Sequence, residues 1–169
     1  MKAKKRKKLI TLLRIVASIC AIPLVFSSFF NGYTVLSEGT QINAPVGISI
    51  FEFAQQKDFM LALAFVGCVL QTILIVFNIF YGVTKVTQKN PDNLIGIITI
   101  VFQLILAVVP FTMVAIYCNK HTMLGLTYTI GICPIFYFVF GLLFGGFMMA
   151  SYVIPVKKTT VKRTQPVQQ

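Results

Sequence analysis

Acidic side chains are almost missing from this chain: four Asp and Glu occur among 169 residues, beside a single His and no Trp. Hydrolytic and proton-transfer enzymes need paired carboxylates, or a nucleophile with a positioned base. The carboxylates are Glu38, Glu52, Asp58 and Asp92, and an enzyme would require the first three to meet in one cleft. His121 stands in a short polar link, where a solvated role is expected. Cys20, Cys68, Cys118 and Cys133 show no CxxC or metal-ligand spacing, so no metal and no cofactor is expected. Cys118 and Cys133 fall towards one end of the molecule, with Cys133 too deep in its apolar run for a disulfide. Charged residues are 11% of the chain, against about 25% in a soluble domain. That inventory cannot cover a water-facing surface.

Apolar residues are abundant instead, at 57%, and they gather in four runs. A helix needs about 20 residues to cross a hydrocarbon core of about 30 Å. The expected spans are residues 9–30, 59–83, 94–118 and 124–156. The last is longer than a straight crossing needs, so its outer turns are expected to project, tilt or bend near Pro134. The fold class read from this pattern is all-α integral membrane, in one domain. It is a four-transmembrane-helix antiparallel bundle with a small β-type extracellular loop between helices 1 and 2. That loop is residues 31–58, where 33–36, 41–43 and 46–50 are β-type runs around a turn at Glu38-Gly39. Residues 51–54 are expected to start an interfacial turn. Residues 84–93 make an inner loop with Pro91 as a helix stop, and 119–123 a short outer link.

The basic residues set the direction of these spans. The head, residues 1–8, carries Lys2, Lys4, Lys5, Arg6, Lys7 and Lys8, and the tail, residues 157–169, opens on Lys157-Lys158 and is expected to be disordered. With the amino end inside, thirteen of the fifteen Lys and Arg residues fall on the inner side, leaving Lys57 and Lys120 outside. This positive-inside bias predicts that both termini are cytoplasmic. Tyr33, Tyr81, Tyr117, Tyr128 and Tyr152 fall near the expected interfaces as an aromatic belt. Arg14, about one turn into the first span, is expected to snorkel back to the inner headgroups. A cleaved signal peptide covering residues 1–27 is the rival reading of this segment. The interruption at Arg14 and the extension through Phe29-Phe30 favour a retained span, and bulky Ile19 before Cys20 argues against a lipid attachment. Although the formal charge is +11, its placement fits topology and anionic-lipid contact at Lys4, Lys5, Arg6, Lys7, Lys8, Lys157 and Lys158, and not nucleic acid.

Within the spans the chemistry is sparse. Apart from Arg14 they hold no ionisable Asp, Glu, Lys or His, which argues against a proton-coupled pump. Polar amides and small residues remain. On span two, Gly67, Gln71 and Asn78 share one face at 100° per residue. Gly96, Thr99, Gln103, Ala107 and Pro110 make a comparable stripe on span three, with Gln103 at a depth between Asn78 and Gln71. The amides are expected to hydrogen-bond across the helix interface, at about 0.6–2 kcal/mol each; the alternative is that they line a polar path. Span four carries the GxxxG pair Gly141 and Gly145, and then Gly146 and Ala150 at the same spacing, while span one has Ala17 and Ala21. Small residues four apart let helix backbones approach closely. Contact inside the bundle is the expected use, and a dimer or a partner protein the sharper one.

Four spans, a strand-bearing first outer loop and a short second one resemble the claudin-type tetraspan layout. The resemblance is of topology only. That family's first-loop Trp and paired Cys have no counterpart here, since the chain has no Trp and residues 31–58 hold no Cys, so no residue role carries over. The Lys-, Ile- and Phe-rich composition suits a low-GC bacterium, hence a bacterial cell membrane. The expected function is non-enzymatic: a multi-pass plasma-membrane accessory or assembly subunit acting through protein–protein interaction. Its expected partners are the lipid bilayer and a membrane protein or a second copy of itself. The alternative is a small transporter or channel subunit that oligomerises around Gln71, Asn78 and Gln103. Amides that face the bundle interior favour the first, and amides that face a cavity or a subunit interface favour the second.

Overall fold

The computed structural model describes residues 3–37, 46–86, 94–123 and 125–154. It contains four helices, α1 (Ala3–Ser27), α2 (Phe59–Val86), α3 (Leu94–His121) and α4 (Ile132–Val153). All four are long and apolar enough to cross a membrane. Three strands, β1 (Asn31–Ser37), β2 (Val46–Ser49) and β3 (Leu126–Ile130), and a 3₁₀ turn (Ile50–Ala54) cover one end. We call this the sheet end, and the opposite one, where α1 begins among lysines, the basic end.

Each helix follows from a burial stripe at a spacing of three to four. On α3 the buried residues are Gly96, Ile100, Gln103, Ala107, Pro110, Val114 and Tyr117–Cys118. On α4 they include Tyr137, Gly141, Phe144, Gly145, Met148 and Tyr152. The outward positions are large and apolar, such as Ile19, Ile73, Phe102 and Leu143, whereas Gln71, Asn78 and Gln103 are 0% exposed. Polar groups inside and apolar groups outside invert the arrangement of a water-soluble bundle.

Contacts between side chains fix the packing order. Gln71 of α2 reaches Tyr137 of α4, Gln103 of α3 reaches Gly141, and Asn78 of α2 meets Thr99 of α3. Residue numbers rise on one helix as they fall on the other for α2 with α3, α3 with α4 and α1 with α4, so these neighbours are antiparallel. The principal interfaces run α1 to α4, α4 to α3 and α3 to α2, and α1 meets α2 only sparsely. The bundle is therefore a ring left open along one side.

Several boundaries differ from the expectations. α1 starts within the basic head and stops at Ser27, where Phe29 and Phe30 turn back through bonds to the carbonyls of Phe26 and Ser27. α2 runs to Val86 and α3 to His121, so the link expected at 119–123 is largely helix.

The expected span 124–156 divides into strand and helix. Its first part is β3, and α4 proper is Ile132–Val153. β3 lies antiparallel to β1, pairing Tyr33 with Ile130 and Ser37 with Leu126, so the sheet order is β2-β1-β3. The sheet thus draws a strand from each side of the chain rather than from residues 31–58 alone. The turn into β3 places Gly125 at φ 87°, a conformation that glycine adopts without steric cost. Gly131 then opens α4. Its N–H donates to the Gly32 carbonyl at 2.9 Å, and a Cβ there would collide with the Asn31 carbonyl. Pro134 sits in the first turn of α4, where its missing N–H leaves no bond unmade. Gln41–Asn43, the Glu38-Gly39 turn, Pro91 and the tail from residue 155 lie outside the described residues.

Candidate functional site: the polar seam of the bundle

α4 is the spine on which the polar groups converge. Tyr137 and Gly141, one turn apart on α4, offer their backbone carbonyls to two glutamines. Gln71 Nε2 donates to the first at 3.1 Å and Gln103 Nε2 to the second at 2.9 Å. The glycines make this possible. A Cβ on Gly141 would overlap Gln71 Nε2 and stand 2.9 Å from Ala107, and one on Gly145 would strike Leu104. The GxxxG pair is therefore internal, facing α3 and the glutamine of α2. Gly146 and Ala150 point the other way. Both are exposed, and a Cβ on Gly146 meets nothing within 4 Å.

The third amide works between α2 and α3. Asn78 Oδ1 accepts the hydroxyl of Thr99 at 2.7 Å. Gly67, on the same face of α2, lies close to α3, where an added Cβ would stand 3.2 Å from Val109 and 3.4 Å from Pro110. The amides thus bond across helix interfaces, but to backbone carbonyls and a threonine rather than to one another. One atom of each, Gln71 Oε1, Asn78 Nδ2 and Gln103 Oε1, is buried with no hydrogen-bond partner. None of the three lines either of the two grooves described next.

A second polar group lies at the basic end, and its partners could not be read from the sequence. Arg14 donates from Nη1 to the Gly82 carbonyl and from Nε to Ser151 Oγ at 3.3 Å. Its guanidinium stands 5.1 Å from the centre of the Tyr152 ring. Because α1 is antiparallel to both α2 and α4, Arg14 reaches their closing turns, where the helix dipole is negative. Its described bonds thus go to α2 and α4, leaving other N–H donors of the guanidinium without a bond among them. Arg14, Thr11, Ile15, Ser18, Gly82 and Met148 border a groove of about 470 Å³ between α1 and α2. A smaller one, about 250 Å³, lies nearer the sheet, bordered by Ser28, Phe65, Cys68, Thr72 and Tyr137. There the Tyr137 hydroxyl stands 3.0 Å from Ser28 Oγ and 3.1 Å from Thr72 Oγ1.

At the sheet end the described carboxylates have local tasks. Asp58 Oδ1 accepts from the N–H groups of Met60 and Leu61, capping α2. Glu52 accepts the N–H of Ser49 at 3.1 Å. Glu38 is outside the described residues. His121 ends α3, stacked on Tyr117 at 4.1 Å between ring centres, with Nδ1 2.9 Å from the Tyr117 carbonyl. Tyr33, Tyr117 and Tyr128 form one cluster with it and Phe53, while Tyr81 and Tyr152 pair at the basic end. Tyr33, Tyr117 and Tyr152 are buried, so these rings knit the ends of the bundle more than they form an outward belt. All four cysteines are unbridged, and Cys68 meets Cys133 in the interior. Lys5, Lys7 and Lys8 are exposed and Arg6 partly so. The side chain of Lys4, and Lys157 and Lys158 altogether, fall outside the description.

No match is found to a protein family, to a characterised protein or to a solved structure. Function must then be argued from the geometry. Chemically the described seam is two neutral amides on helix carbonyls and a third on a threonine hydroxyl, an arrangement that holds helices in register.

Proposed function

We propose that this chain is an integral membrane protein crossing the bilayer four times, with both termini cytoplasmic. It acts there without catalysis, as an accessory or assembly subunit for other membrane proteins, in a bacterial cell membrane. The membrane reading is supported by the apolar outer faces around buried amides. The orientation is supported by the basic charge: Lys5, Lys7 and Lys8 gather at one end, with the sheet at the other. The observation that carries the interaction reading is the engagement of Gln71, Asn78 and Gln103 inside the bundle. Among the described residues these amides line neither groove, which weakens the transporter alternative. The surfaces then available for a partner are the outer face of α4 at Gly146 and Ala150, and the sheet.

Affinity purification in mild detergent, with mass measurement of what co-elutes, tests this reading. A stoichiometric membrane-protein partner is the expected result. A defined homo-oligomer that conducts a solute in liposomes would overturn it in favour of the channel.

A further inference from the structure

The open side of the bundle has two chemically different ends. Its floor is one face of α1, in which Thr11, Ile15, Ser18, Ile19 and Ile22 border the groove. From Thr11 to Ile22 this face runs about 16 Å at 1.5 Å per residue, close to half of a core about 30 Å thick. The groove therefore has the depth of one leaflet. Its volume is about 470 Å³ and its border is mostly apolar, which suits a hydrocarbon chain.

The mouth is cationic. Arg14 stands at the groove with two of its five N–H donors engaged by neutral oxygens. Lys7 and Lys8, both exposed, lie about two turns before Arg14 on the same face, and Thr11 Oγ1 donates to the Lys7 carbonyl. The described carboxylates, Glu52 and Asp58, are engaged at the sheet end, so among the described residues no acidic group meets this charge. A partly buried guanidinium with no counter-ion among the described residues, above an apolar slot one leaflet deep, complements an anionic amphiphile.

We infer that this groove binds one anionic phospholipid of the cytoplasmic leaflet. Its phosphate is held by Arg14, with Lys7 and Lys8 at the mouth, and one acyl chain lies along Ile15, Ile19 and Ile22. The inference rests on the membrane reading and adds to it a specific lipid site, in which the bound chain closes the ring between α1 and α2.

The test is native mass spectrometry of the full chain in detergent, titrated with phosphatidylglycerol and, in parallel, with phosphatidylcholine. One phosphatidylglycerol per chain is expected, held in preference to phosphatidylcholine. Arg14→Gln should weaken that binding about fivefold, the equivalent of about 1 kcal/mol per basic residue at a membrane surface. Ser18→Trp fills the slot with the cations intact and should abolish binding of both lipids. It decides the matter alone if Arg14→Gln does not fold. Equal retention of the two lipids, unchanged binding in Ser18→Trp, or a dimer that Ser18→Trp dissociates would each overturn the inference and leave the membrane reading standing. Recovery of the chain in the aqueous fraction after lysis would overturn both.

Discussion

The two long seams of the bundle solve the same problem in opposite ways. Between α3 and α4, glycines at 141 and 145 remove side chains so that Gln103 and Leu104 seat against the α4 backbone. Between α1 and α2 a groove remains, bordered by Ile15, Ile79 and Val83. The closed seam is polar and filled; the open one is mostly apolar, with Arg14 on its border and Lys7 and Lys8 beyond its end. Where the contact residues are glycines, the helices meet closely.

The largest effect that would break this contrast is expected at Gly141. Gly141→Leu drives a side chain into Gln71 and Ala107, so it should destabilise the fold by about 1–3 kcal/mol or more, read as a lowered midpoint of thermal unfolding in detergent. Next come the glutamines. Gln103→Leu removes the bond to the Gly141 carbonyl and should cost about 0.6–2 kcal/mol, seen as the same midpoint shift in smaller measure. Unchanged stability would remove the role assigned to that amide. The coupling of Asn78 to Thr99 is smaller, and a double-mutant cycle with Asn78→Leu and Thr99→Val should return about 0.6 kcal/mol. Gly146→Leu is expected to leave the isolated chain unchanged, because no atom lies near its Cβ. If that variant loses a co-purifying partner while its own unfolding midpoint holds, the outer face of α4 is the contact surface. An equal loss of midpoint in Gly141→Leu and Gly146→Leu would erase the distinction between the two faces.

Much of the seam could be read from spacing. Gly67, Gln71 and Asn78 share a face because residues three or four apart stack on a helix, and that face is buried. The stripe from Gly96 to Pro110 follows from the same rule. Which atoms those amides would meet could not be read, since a hydrogen-bond partner depends on the neighbouring helix and its rotation. β3 was hidden for another reason. Thr127, Tyr128 and Thr129 favour strands and Gly125 and Gly131 bracket them, yet the segment joins an apolar run, and short apolar runs are ambiguous between strand and helix. The edge of β1, more than 85 residues earlier in the pairing of Ser37 with Leu126, resolves the ambiguity. Arg14 was visible as an anomaly in an apolar span, but its acceptors lie on α2 and α4.

By itself the sequence determined four long apolar helices, the scarcity of acid–base chemistry and the inward faces of α2 and α3, because these depend on composition and on a periodicity of 3.6 that every residue of a helix obeys locally. Only the tertiary structure decided that α4 is the common neighbour, that residues 126–130 join the sheet, and that α1 and α2 stand apart around Arg14. Those outcomes turn on volumes and bond partners contributed by segments far apart in the chain, and they exist only once the helices have met.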